Sequence, residues 1–295
     1  GDKTSYFGGK LGYNSADRSW NESITAAGKS GSLDGLIAFS RRDGHQTRNN
    51  SATVDSLPDD WHSNALLLKG GLRINAENRL ELSADLYRRS NRTMFHGWDA
   101  NNASITQRND QDSDTSRNTL QLSHLWTPAN PVVDHLDTRL FFQNTDTKDV
   151  TDTTTLANGS TVRNLSQNKT RGWGFSTTGD KRMDNHRVSF GLNAQTQNQE
   201  RPWDVPGYMK PQPDTKTNRL GAFVQDDIGF DVAGKRLGVI PALRVDRVTV
   251  DPRNLGNFAD GALTEAAAAN FYRQLKNSIW SPSLGLTYDV TPSFM

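Results

Sequence analysis

The side chains best suited to holding a metal ion or gripping a ligand are six histidines and a few loop aromatics. The chain has no cysteine, which excludes thiolate zinc sites, disulfide frameworks and thiol enzymes. His45, His62 and His96 fall on or beside long polar segments, where a side chain is free to meet an incoming ligand. His96 lies in the run Met94-Phe95-His96-Gly97-Trp98, which pairs a nitrogen donor with apolar, aromatic surroundings and makes Trp98 a companion contact. A second cluster lies at 201–211, where Pro202, Pro206 and Pro211 stiffen a segment carrying Trp203 and Tyr208, residue types that anchor recognition surfaces. The other histidines suit this role less. His124 shares parity with Leu120, Leu122 and Trp126, as a wall residue would, and His135 and His186 sit beside short turns.

Catalytic patterns are missing. The acidic run Asn109 to Asp114 lacks the central glycine and final glutamate of a calcium-binding loop and is expected to be a solvated loop. Asp226 and Asp227 are adjacent, so in a strand they point to opposite faces and cannot share a proton. Asp227 goes with Gln225, and Arg244 shares a face with Asp246. No nucleophile elbow, phosphate-binding glycine loop, dinucleotide fingerprint or HExxH is present, so no enzyme is expected.

The elements that must position these residues are strands. Only 34% of the 295 residues are hydrophobic and 23% are charged, yet 7 Trp, 12 Phe and 6 Tyr argue against disorder. The net charge of +1 marks neither a nucleic-acid binder nor a polybasic membrane anchor. The longest apolar stretches (36–39, 65–68 and 238–243) fall far short of the roughly 18 residues of a spanning helix. Period two dominates. Leu66, Leu68, Leu72 and Ile74 oppose Lys69, Gly71 and Arg73; Leu80, Leu82, Ala84 and Leu86 oppose Glu81, Ser83, Asp85 and Tyr87. Trp280, Pro282, Leu284, Leu286, Tyr288 and Val290 repeat the pattern near the end. Helical patterning is confined to the Ala-rich residues 263–276.

About twelve such strands are expected, many as long as the roughly 9–11 residues that cross a bilayer at a tilt. Short turns are expected near 29–32, 75–78, 127–135, 179–185, 231–235 and 291–293. Long polar loops are expected near 44–62, 91–116, 148–168, 199–216 and 251–277. Short turns on one side and long loops on the other are the plan of an antiparallel up-and-down transmembrane β-barrel. A wall with water on one side and lipid on the other needs only alternate apolar residues, which accounts for the composition. The competing fold is a soluble β-sandwich or β-helix.

Four runs resemble one family in its own order. Residues 12–44 (GYNSADRSWNESITAAGKSGSLDGLIAFSRRDG) are similar to the early barrel strands of TonB-dependent outer-membrane receptors of the heme/hemoglobin class. Residues 213–230 (PDTKTNRLGAFVQDDIGF) resemble their FVQDE strand, and 236–250 (RLGVIPALRVDRVTV) the PGLRYD strand that follows. Residues 280–295 (WSPSLGLTYDVTPSFM) resemble the strand and turn before the FRAP box. The resemblance implies that 1–295 are a partial barrel domain, without the plug, of a wall of about 22 strands. It implies a bacterial outer-membrane location and active uptake of heme, from hemoglobin or another heme protein, as transported ligand with no intrinsic cofactor. TonB would act through the plug, and the axial heme ligands would lie in the plug and beyond Met295. His62, His96, Trp98, Trp203 and Tyr208 are then the extracellular ligand-contact candidates. The alternatives are a ferric-siderophore receptor of the same class and a passive porin or adhesin. No nucleic acid is expected as a partner.

Overall fold

The computed structural model describes residues 4–47, 60–99, 104–129, 132–206, 210, 212–258 and 264–289. They form one antiparallel sheet. Its strands are β1 (Ser5–Asn14), β2 (Ser19–Ser30), β3 (Leu33–His45), β4 (Asp60–Arg73), β5 (Asn78–Asp99), β6 (Ser104–Trp126), β7 (His135–Thr155), β8 (Thr161–Met183), β9 (His186–Glu200), β10 (Trp203–Asp204), β11 (Asp214–Val232), β12 (Lys235–Arg253) and β13 (Leu275–Tyr288). Each strand pairs with the next in sequence, except that the two-residue β10 pairs with β8 while β9 pairs directly with β11. The expected meander is therefore present, with β1 and β13 as its edges. Val290 and the turn at 291–293 lie outside the described residues.

The register explains the composition. Leu33, Ile37 and Phe39 on β3 stand opposite Leu72, Leu68 and Leu66 on β4, which stand opposite Leu80, Ala84 and Leu86 on β5. The band continues through Leu122, Leu140 and Phe175 to Leu243 and Leu284, each reached by following same-face neighbours across the ladder. These side chains cover nothing: Leu82 is 51% and Leu284 68% exposed. Among the described residues, only Val133 and Ala268 are buried hydrophobics. A sheet with a continuous bare apolar face on one side and no protein layer over it needs lipid as its missing neighbour. The opposite, polar face is the lumen side.

The connections alternate as expected on the short-turn side. β2–β3 turns at Gly31 (φ 58°), β8–β9 at Asp184 and Asn185, and β11–β12 at Ala233 and Gly234 (φ 56° and 74°). Two successive positive φ values form the mirror-image turn that suits the strand twist, and the Asp231 carboxylate accepts the Gly234 N–H at 3.0 Å.

The other side corrects the sequence reading. Residues 91–99, 104–116, 148–155 and 161–168 are not loops. They are the paired ends of β5–β6 and β7–β8, and the acidic run Asn109 to Asp114 is an unbroken part of β6. These four strands have 21–23 residues. That leaves about twelve residues, or some 40 Å, projecting past the roughly 9–11 that a bilayer crossing takes. The error has a physical cause. Amphipathic alternation stops where lipid stops, but backbone pairing needs no apolar face. Segment 251–277 holds two short helices, α1 (Leu255–Phe258) and α2 (Glu265–Phe271). The second, foreseen from its alanines, starts at Thr264, whose hydroxyl accepts the Ala267 N–H. β3 runs to His45 and β4 starts at Asp60, so both ends of 44–62 are strand, and residues 48–59 lie outside those described.

Candidate functional site

The lumen face carries ion pairs at membrane level. Arg79 on β5 grips Asp34 on β3 with two hydrogen bonds of 2.6 and 2.8 Å and approaches Glu81 at 3.7 Å. The fork reaches across β4 because Gly71, between the two partners, has no side chain to block it. Arg139 pairs with Asp137, Arg236 with Asp227 at 2.9 Å, and Arg244 with Asp246 at 2.6 and 2.7 Å. The shared face of Arg244 and Asp246, and the lumen placement of Asp227, are as the alternation predicts. Such pairs are internally neutralised, so they present dipoles and hydrogen-bond capacity more than net charge.

Higher on the same face, above the apolar band, two arginine–aromatic pairs stand on neighbouring strands. The Arg89 guanidinium lies 5.4 Å from the Trp61 ring centre, and the Arg117 guanidinium 5.7 Å from that of Tyr87. Trp61 lies against Gly44 of β3, where any Cβ would collide with the indole. Arg117 also meets Asp85 at 3.3 Å. Arg89 has no carboxylate partner among the described residues, and its Nε is buried without a hydrogen-bond partner. A half-buried, unneutralised guanidinium on an indole is a place for a ligand that combines a flat apolar body with an anionic group. The alternation read from the sequence starts beyond Trp61, which fell in the expected loop at 44–62, so only the strand register puts it on the lumen face beside Arg89.

The four sequence candidates among the described residues are not gathered in one place. His62 on β4 and His96 on β5 share parity with Leu66 and Leu86, so both are on the outward face and not on loops. Trp98 follows a register irregularity at Gly97 and belongs to β5. Trp203 on β10 stands opposite Ser166 of β8, on the lumen parity. Tyr208 lies outside the described residues. Among the described residues no three His, Asp or Glu side chains form a metal-binding group. His124 is a wall residue as expected, its Nε2 2.9 Å from the Asn78 amide oxygen. His45 pairs with Asp60 at 2.6 Å on the outward face.

Asp214 ties two of the upper connections together. Its carboxylate accepts from the Arg201 N–H (2.8 Å), Lys210 Nζ (2.6 Å) and Asn254 Nδ2 (2.8 Å), joining segment 201–213 to the start of 254–274. It sits above the membrane-level part of β11. Burial pushes its carboxyl up, but the three donors outweigh that and hold it below the usual carboxylate range.

Residues 74–295 match the family described as TonB dependent receptor-like, beta-barrel. A search of curated proteins finds no match. Among solved structures, the FrpB iron transporter from Neisseria meningitidis (F3-3 variant) superposes with a TM-score of 0.70 at 15% identity, covering 99% of this chain and 45% of that one. The copper transporter OprC gives 0.69 at 15% identity, covering 98% and 42%. A double mutant of the Serratia marcescens hemophore receptor HasR, in complex with its hemophore HasA and heme, gives 0.56 at 16% identity, covering 97% and 41%. At these identities the likeness is one of fold, and the chain spans less than half the length of those proteins. The register, the bare apolar band and the family match agree: this chain is a bacterial outer-membrane protein and belongs to the β-barrel family of the TonB-dependent receptors.

Proposed function

We propose that this chain is part of the wall of an energy-coupled importer whose cargo is heme, taken up free or from a heme protein. The observation that carries the reading is the pair of arginine–aromatic contacts on the lumen face, Arg89 with Trp61 and Arg117 with Tyr87. Heme is a flat apolar ring with two carboxylates, and such pairs offer one partner to each. The four sequence runs that resemble heme receptors support the same cargo. The upper strands and connections would capture the ligand, with Trp98, Trp203 and Tyr208 as further contacts. His62 and His96, on the outward face, would serve only toward a bulky heme protein. The wall would guide the ligand to a plug domain, and TonB acting on that plug would drive release to the periplasm. On this reading residues 1–295 are a partial barrel domain with plug and axial ligands elsewhere in the receptor.

A ferric siderophore is the second reading, because an unneutralised arginine on an indole also suits an anionic ferric chelate. The deciding experiment is a titration of the full receptor with heme, followed in the Soret band, beside binding of a ferric siderophore. Replacing Trp61 and Arg89 with alanine is expected to weaken heme binding by about tenfold. Retained affinity in the folded variant, or binding of the chelate and not of heme, overturns the heme reading. A receptor that passes small solutes with no proton-motive force would instead be a passive pore.

A further inference from the structure

The outward face changes character at the top of the apolar band. On each strand from β3 to β13, β10 aside, the next outward position above the last apolar residue is Arg, Asn, Thr or Ser, and never Asp or Glu. The arginines are Arg41, Arg88, Arg171 and Arg247. Arg41 is neutralised by Asp43 at 2.5 and 2.7 Å. The other three are exposed and have no carboxylate within 4 Å among the described residues. Arg88 binds only neutral oxygens, the Tyr87 carbonyl and the Asn118 amide, each at 3.0 Å. Arg171 stands between Asn144 and Asn198, and Arg247 between Leu220 and Ser278. Three strand spacings separate Arg88 from Arg171, and three separate Arg171 from Arg247, or about 14 Å in each case. Below Arg171 on the same face lies Trp173, 56% exposed, the residue type that marks a membrane–water interface.

The opposite edge of the band is different. Its outward basic groups have partners within the protein: carboxylates for two of them, with Lys181 on Asp134 at 2.5 Å and His186 on Asp226 at 2.6 Å, and an aromatic face for Lys235, 5.9 Å from the Tyr288 ring centre. The unmatched guanidiniums are thus all at the edge next to the long connections, which in this architecture is the cell-exterior side. They lie outside the barrel, where cargo does not pass, at the height where lipid chains end and headgroups begin.

We infer that this arginine–amide rim is a binding site for the phosphate groups of outer-leaflet glycolipid, the phosphorylated lipid A type. A guanidinium presents a planar fork of donors that fits phosphate oxygens, and the neighbouring asparagines add neutral donors for sugar and phosphate. Zwitterionic phospholipid would not call for unmatched positive charge on one rim alone. The inference rests on the outer-membrane wall and not on the cargo.

The test uses the full receptor in detergent and two probes, bisphosphorylated lipid A and the same lipid A stripped of its phosphates, titrated by native mass spectrometry. The wild-type protein is expected to prefer the phosphorylated probe. The triple variant Arg88→Gln/Arg171→Gln/Arg247→Gln is expected to lose at least about tenfold affinity for that probe. The double variant Arg108→Gln/Arg163→Gln removes arginines already bound to Asp110 and Asp152 and is expected to bind like wild type. Equal binding of both probes by the wild type overturns the inference with no variant needed. Unchanged affinity in a triple variant that folds by heat-modifiable migration, or an equal loss in the double variant, also overturns it. Heme titration of the same samples is expected to be unchanged, which keeps this outcome separate from that of the cargo reading.

Discussion

The same strands pass through two regions that obey different rules. At membrane level, β5–β8 keep an apolar outward face, with Leu82, Leu122, Leu140 and Phe175 in one row. Above it, the same four strands are mostly polar on both faces, with isolated exceptions such as Val150 and Leu165, and remain paired apart from one register irregularity at Gly97. The overhang is laced by side-chain bonds across the ladder: Thr153 donates to Asn109 at 2.8 Å, Asn164 donates to Thr153 at 3.1 Å, and Arg163 grips Asp152 with two bonds of 2.8 Å. Backbone hydrogen bonds hold both regions. Solvent decides which side chains each tolerates.

The strongest way to break this contrast is to place the same charge in each region. Leu82→Arg at the centre of the band is expected to cost about 2–4 kcal/mol and to prevent outer-membrane assembly. Val150→Arg is also an outward apolar replacement but lies in the overhang between Asp112 and Leu165. It is expected to assemble normally. Heat-modifiable migration of the two proteins compares them directly, and equal behaviour would remove the boundary from where it is drawn.

A smaller effect is expected at Asp214, where the overhang's connections are fastened. Asp214→Ala leaves three donors without their acceptor and is expected to cost about 1–3 kcal/mol, read as faster proteolysis within 201–213 and 254–274. The pH dependence has a definite sign. Because the folded carboxyl titrates below its unfolded value of about 3.9, its contribution is complete above that value and disappears as pH falls through the folded one. Loss of protection on raising the pH from 5 to 7 would contradict the assignment.

The smallest effect belongs to the exposed pair Asp152–Arg163, where Arg163 holds the carboxyl of Asp152 below its ordinary range. Arg163→Gln is expected to leave assembly unchanged and to speed amide exchange only near the β7–β8 tip, since exposed pairs are weak and screened by salt. Slowed exchange at the tip would show that the pair strains the ladder.

The alternation of Leu66 to Ile74 and of Leu80 to Leu86, the turn residues at 31, 184 and 233–234, and the absence of a spanning helix made the wall, its lipid face and its short-turn side legible in the sequence. Each is a local property: side-chain parity within one strand, or the φ that one turn residue adopts. Three features required the tertiary structure. The overhangs of β5–β8 carry no hydrophobic period, so only their pairing distinguishes them from loops. Trp61 and Arg89 are 28 positions apart and meet only because β4 and β5 adopt one register out of many. His62 and His96 read as loop residues by composition, yet the register carries them to the outward face, since a pleated strand gives each side chain only one of two sides. Composition and period thus determined that this chain is a membrane wall. Which of its residues face the cargo was decided by strand register, a property of pairs of strands that no single segment contains.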